Sequence, residues 1–94
     1  MNALVNVIQQ HHEEMPMRIM TCRQLGGPCD LRLSGETAED VIKAQDRHLR
    51  EAVGGGDPAH EPAHEEMKGR WRHPARSMGW YRKTKKAFAD LPEA

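Results

Sequence analysis

A histidine-rich stretch carries the motif that could most directly do chemistry. His60-Glu61-Pro62-Ala63-His64 satisfies H-E-x-x-H, the pattern of zinc peptidases. That chemistry needs an uninterrupted helix with both imidazoles on one side and a glutamate that holds water. Pro62 occupies the middle of the motif, where it costs about 3 kcal/mol in a helix interior. The chain is also too short for the usual cleft between two subdomains. We therefore predict that the protein is not a peptidase and assign it no catalytic residue.

Two cysteines and a third histidine offer metal-binding chemistry. Six residues separate Cys22 from Cys29, whereas the cysteines of structural zinc sites usually lie two to four residues apart. Taken singly, a histidine such as His48 on an apolar stripe is more often a hydrogen-bonded core residue than a ligand, and both cysteines fit as buried, inert residues. Taken together, two thiolates on a hairpin and an inward imidazole from each of two helices suit zinc or another divalent transition metal. The second imidazole would come from His60 or His64.

Two other functions remain open on the same residues. The first alternative to metal binding is a metal-free structural or interaction module with buried cysteines. The second is a thiol redox protein that uses Cys22 and Cys29. No apolar run is long enough to cross a membrane, and no secretory signal precedes the domain. We therefore predict a cytoplasmic protein, in which both cysteines are reduced.

The composition describes one small domain. The 94 residues are 37% hydrophobic and 30% charged, and a chain of this length buries only about 60–65% of its unfolded surface. A formal net charge of zero argues against nucleic-acid binding by bulk charge, and a protein partner stays open. Residues 68–86 are nevertheless basic, which we interpret as a solvated helix face.

The first half of the domain has the period-two alternation of strands. We predict strands at residues 17–22 and 29–34, joined through a Gly-Gly-Pro turn signal in "RQLGGP". Cys29, Leu31 and Leu33 would share one face of the second strand. The hairpin would bring Cys22 and Cys29 close together at its turn end.

The second half has the spacing of three amphipathic helices, predicted at residues 37–53, 58–71 and 75–90. Thr37 is the expected N-cap of the first helix, and three glycines stop it. The apolar stripe of this helix comprises Val41, Ile42, Gln45, His48, Leu49 and Ala52. The stripe of the second helix comprises His60, His64, Met67 and Trp71, and that of the third Trp80, Thr84, Ala87, Phe88 and Leu91.

These elements predict an α+β fold, a β-hairpin followed by three helices (ββααα), in a single small domain over residues 17–94. Residues 1–16 stand apart as an N-terminal extension that ends at Pro16. Their apolar residues, Leu4, Val5 and Ile8, have helical spacing, so the extension is either a short helix or disordered.

The domain resembles a small bacterial family known as predicted small metal-binding proteins, a domain of unknown function. The likeness lies in "MTCRQLGGPCDLRLSGETAEDVI", then His48, then "GDPAH", and it covers Met17 to the C-terminus. The tail resembles the longer branch of the family through Pro74, Met78, Trp80, Phe88, Leu91 and Pro92. The resemblance implies metal binding through Cys22, Cys29, His48 and His60. His64 departs from it, because we expect an apolar residue there in relatives.

Overall fold

The computed structural model describes residues 16–94, which form an antiparallel two-stranded hairpin followed by three helices. The predicted α+β arrangement is therefore confirmed. The prediction of a helical or disordered extension falls, apart from Pro16, outside the described residues. The elements are β1 (Arg18–Thr21), β2 (Arg32–Gly35), α1 (Ala38–Gly54), α2 (Glu61–Arg72) and α3 (Pro74–Ala89), with short 3-10 turns at Arg23–Leu25 and Pro58–His60.

The second strand is shorter than predicted, and Cys29 lies before it. The register pairs Thr21 with Arg32, which would place Cys29 opposite Gln24. Residues 23–25 instead form a 3-10 turn, so no strand is there for Cys29 to pair with. The predicted common face is wrong for Leu31, which is 46% exposed, whereas Leu33 is buried.

Helix α1 begins at a capping box and contributes buried residues to the core. The Thr37 hydroxyl accepts the N–H of Asp40 at 3.2 Å, and the Asp40 carboxylate accepts the N–H of Thr37 at 3.2 Å. The predicted stripe is buried at Val41, Ile42, Gln45 and Leu49. Asp46 is buried as well, which the stripe did not predict.

Helices α2 and α3 meet at His73. Pro62 lies in the first turn of α2, where a proline loses no helical hydrogen bond. Ala63 and Met67 are the buried residues of this helix. Trp71 was predicted on the same stripe but is 49% exposed. The surface that α1 turns towards it is charged, and the Arg50 guanidinium lies 5.8 Å from the centre of the indole ring.

The core has two parts. The first joins the hairpin, α1 and α3 through Met20, Leu25, Leu33, Ala38, Val41, Ile42 and Phe88. The second lies between the hairpin turn, α1 and α2, and consists of Cys22, Leu49, Ala63 and Met67, with Cys29 packed against it. Both cysteines thus belong to the second part. Across residues 16–94, no helix is both long and apolar enough to cross a membrane.

Candidate metal centre

Four potential metal ligands converge where the hairpin turn meets α1 and the start of α2. Cys22, Cys29, His48 and His60 each offer one ligand atom, and these four atoms all lie within 4.8 Å of one another. The four residues are those that the sequence singled out. Cys22 follows β1, Cys29 precedes β2, His48 lies in α1, and His60 ends the 3-10 turn before α2.

Backbone hydrogen bonds fix the connection between the strands around both cysteines. The N–H of Cys22 donates to the Leu31 carbonyl at 2.9 Å, and the N–H of Gly27 donates to the Cys22 carbonyl at 2.8 Å. A side-chain carbon at Gly27 would overlap the Cys22 sulfur. The absence of a side chain at this position therefore lets the backbone fold directly over the thiol. Cys22 is fully buried, whereas Cys29 is half-buried.

The two imidazoles come from different elements, His48 from α1 and His60 from the 3-10 turn before α2. His48 Nε2 lies 3.4 Å from Cys29 Sγ. The His48 and His60 rings are perpendicular, with their centres 4.9 Å apart. Because the rings meet edge to face, both histidines reach the sulfurs without stacking on each other.

His60 is oriented by a carboxylate on its own turn. Its Nδ1 lies 2.7 Å from Asp57 Oδ2, while Asp57 Oδ1 accepts the N–H of Ala59 at 2.9 Å. The carboxylate accepts a hydrogen bond from Nδ1–H, and in the neutral imidazole this leaves the lone pair on Nε2. His60 is only 5% exposed, and its buried Nε2 has no hydrogen-bond partner within residues 16–94. A buried nitrogen in this state costs free energy unless some group satisfies it.

A buried amide supports the Cys22 side of the cluster. Gln45 Nε2 lies 3.3 Å from Cys22 Sγ and 3.4 Å from the Cys22 carbonyl oxygen, and donates to both. The sequence placed Gln45 on the stripe of α1 but assigned it no role. A polar glutamine on an otherwise apolar stripe, one helical turn before His48, could have indicated this supporting role. Asp57 was also missed, three residues before His60.

The four groups influence one another's protonation. Burial raises the pKa of the Cys22 thiol. Burial also acts to raise the pKa of Cys29, but the backbone N–H of Leu31 and the His60 imidazole outweigh it and lower that pKa. The nearby Cys29 sulfur raises the pKa of His60 against the effect of burial, and Asp57 adds to the rise. Burial, followed by the nearby charge of His60, lowers the pKa of His48.

The H-E-x-x-H motif is divided between two elements. His60 belongs to a 3-10 turn, and the regular helix begins only at Glu61. Glu61 is exposed, and His64 is not part of the four-residue group. His60 is therefore the histidine of this motif that joins the cysteines.

Comparison of the chain with protein-family models, with curated proteins and with solved structures gave no match. The resemblance to the family of small metal-binding proteins thus stays a prediction. Any function has to be argued from the geometry of the four-residue group.

Proposed function

We propose that this protein binds a transition metal, zinc in the first place, through Cys22, Cys29, His48 and His60. The observation that carries the proposal is the convergence of four ligand atoms within 4.8 Å. Tetrahedral zinc with bonds of about 2.0–2.3 Å separates its ligand atoms by about 3.3–3.8 Å. Small side-chain movements would bring the four atoms to that spacing. The unpartnered Nε2 of His60 gains a partner in the same step.

The chemistry of the donor set supports zinc over harder cations. Two thiolates and two neutral imidazoles are soft to borderline ligands, whereas magnesium and calcium prefer oxygen. Two thiolates also cancel the charge of a divalent ion. A neutral centre suits the surroundings of Cys22 and His60, which are 0% and 5% exposed, because an uncompensated buried charge is costly.

We place the role of the metal in structure and not in catalysis. Four protein ligands complete a tetrahedral site and leave no position for a substrate. The exposed Glu61, on a helix that starts after His60, supports the same conclusion. A metal here would connect the hairpin turn to α1 and to the start of α2, at the second part of the core. We place the protein in the cytosol, where reducing conditions keep both thiols available as ligands.

The proposal is tested by metal analysis of the reduced chain, purified without a histidine tag. We expect one metal ion per chain, and cobalt added to the metal-free protein should give thiolate charge-transfer absorption. Cys29→Ser and His60→Ala should weaken this absorption and the affinity for zinc. His64→Ala is the matched control and should leave both unchanged. A reduced chain that takes up neither zinc nor cobalt would favour the metal-free interaction module.

A further inference from the structure

The two sulfurs of the candidate site differ in their access to solvent. Cys22 is 0% exposed, whereas Cys29 is half-buried and lies at the rim of the same cluster. We infer that Cys22 and Cys29 are a peroxide-reactive dithiol whose closure to a disulfide expels the metal. The expulsion step rests on the proposed function. The dithiol chemistry rests on the sulfur geometry alone.

The hairpin keeps the two sulfurs adjacent whether or not a metal is bound. The hydrogen bonds from Cys22 to Leu31 and from Gly27 to Cys22, of 2.9 and 2.8 Å, fix the backbone on both sides of the pair. Zinc would hold the sulfurs about 3.8 Å apart, and a disulfide requires about 2.05 Å. Rotation of the two cysteine side chains converts the zinc-bound arrangement of the sulfurs into the disulfide.

The difference in access assigns an order to the reaction. A small peroxide reaches the sulfur of the half-buried Cys29 first. Cys22 is shielded by Gly27 and Gln45, so an oxidant in solvent does not reach it directly. It lies beside Cys29, however, where it can attack an oxidised Cys29 sulfur. Cys29 is therefore the attacked thiol and Cys22 the resolving thiol.

Both steps balance with hydrogen peroxide as the oxidant. The Cys29 thiolate attacks one peroxide oxygen, the O–O bond breaks, hydroxide leaves and Cys29 becomes a sulfenic acid. The Cys22 thiolate then attacks the Cys29 sulfur, the S–O bond breaks and a second hydroxide leaves. The sulfurs lose two electrons and the peroxide gains them, while solvent protons convert both hydroxides to water. The disulfide carries no thiolate charge, so the metal keeps only two neutral imidazoles and dissociates.

The experiment treats the reduced full chain with hydrogen peroxide in two forms, zinc-loaded and metal-free. A chromogenic chelator measures released zinc, and intact mass with peptide mapping measures the disulfide. We expect stoichiometric zinc release together with an intramolecular Cys22–Cys29 disulfide. A thiol reductant should reverse the disulfide and restore zinc binding. His64→Ala should behave as the unmodified chain does, and Cys22→Ser should stop at the sulfenic acid, detected by a dimedone-type probe.

The outcomes separate the two proposals. If no zinc binds before peroxide is added, the proposed function fails and the expulsion step falls with it. Disulfide formation in the metal-free chain would then still support the dithiol. If zinc binds and stays bound at peroxide concentrations that oxidise a small thiol, the inference is overturned and the metal site stands. Zinc release with sulfinic acid at Cys29 and no disulfide also overturns it. Should Cys22→Ser not fold, the peptide map of the unmodified chain decides the question.

Discussion

At the scale of single residues, the candidate site depends on side chains that do not themselves reach the metal position. Asp57 is the clearest case, since its carboxylate lies 2.7 Å from His60 Nδ1 and thereby selects the nitrogen that remains free. Supporting carboxylates of this kind orient metal-bound histidines and raise their basicity. The contribution of Asp57 should therefore appear in metal affinity.

We expect Asp57→Ala to weaken zinc binding by about 10–100-fold, the usual effect of losing such a supporting group. Competition with a chromogenic chelator measures the affinity. Glu61→Gln is the matched control, because Glu61 adjoins His60 in sequence but is exposed and is not one of the clustered ligands. An equal loss of zinc affinity in both variants would mean that negative charge near His60, and not the hydrogen bond from Nδ1 to Asp57, sets the affinity.

Gly27 is the second supporting residue, because its lack of a side chain leaves room for the Cys22 sulfur. A Cβ at this position overlaps the Cys22 sulfur and comes within 3.0 Å of Gln45 Nε2. We expect Gly27→Ala to displace Cys22, to reduce zinc affinity, and to lower the free energy of unfolding by about 1–3 kcal/mol, as overpacked cores do. Chemical denaturation and chelator competition check the two effects.

Gly69→Ala provides the comparison for that substitution. Gly69 lies inside α2, and a Cβ added there would have open space within 4 Å. Alanine is favoured over glycine in a helix by about 1 kcal/mol. This variant should be as stable as the unmodified chain or more so, with unchanged zinc affinity. Destabilisation by both alanines would refute a specific role for Gly27.

At the scale of elements, hydrophobic spacing predicted the helices because three residue stripes have unambiguous helical periods. It failed where the neighbouring element decides burial. Trp71 follows Met67 at the correct step, yet the Arg50 guanidinium lies 5.8 Å from the centre of its indole ring. Cys29 alternates with Leu33 as strand residues do, yet the segment opposite Cys29 forms a 3-10 turn. Sequence spacing describes one element at a time, so it carried no information on the segments that lie against Trp71 and opposite Cys29.

The capping box of α1 gives a prediction at this scale. Thr37 Oγ1 satisfies the N–H of Asp40, and replacing such a cap by alanine costs about 1 kcal/mol. We expect Thr37→Ala to lower the free energy of unfolding by that amount. Glu36→Ala, an exposed neighbour outside the helix, should change it little. Because α1 carries both His48 and Gln45, zinc should partly restore the stability of Thr37→Ala, which thermal unfolding with and without metal measures.

At the scale of the whole molecule, the four candidate residues could be predicted because the chain has only two cysteines and because His48 and His60 fall on inward helical stripes. Their convergence could not be derived from spacing. His60 and His64 are equivalent on an ideal helix, and only the 3-10 turn held by Asp57 brings His60 to the cluster. The contact of Gln45 with Cys22 likewise joins residues 23 positions apart in the chain, so it exists only once the chain has folded.

The two-part core predicts how the molecule responds to metal removal. The part built on Val41, Leu33 and Phe88 contains no candidate ligand, whereas the part built on Leu49 and Met67 contains both cysteines. Metal binding adds its free energy to folding through the elements that it joins. Chelation should therefore lower the melting temperature of the whole chain. It should also loosen the hairpin turn and the start of α2 more than the interface of α1 with α3.

Hydrogen exchange read by mass spectrometry tests this pattern in the reduced chain, with and without a chelator. Peptides covering residues 22–31 and 57–67 should exchange faster after chelation, and peptides from α3 should change least. Cys29→Ser with chelator is the control, because a chain that lacks one ligand has less bound metal to lose. Uniform acceleration along the chain would instead show that the metal stabilises the domain as a single unit. An unchanged profile in a chain shown to bind zinc would place the metal outside this cluster.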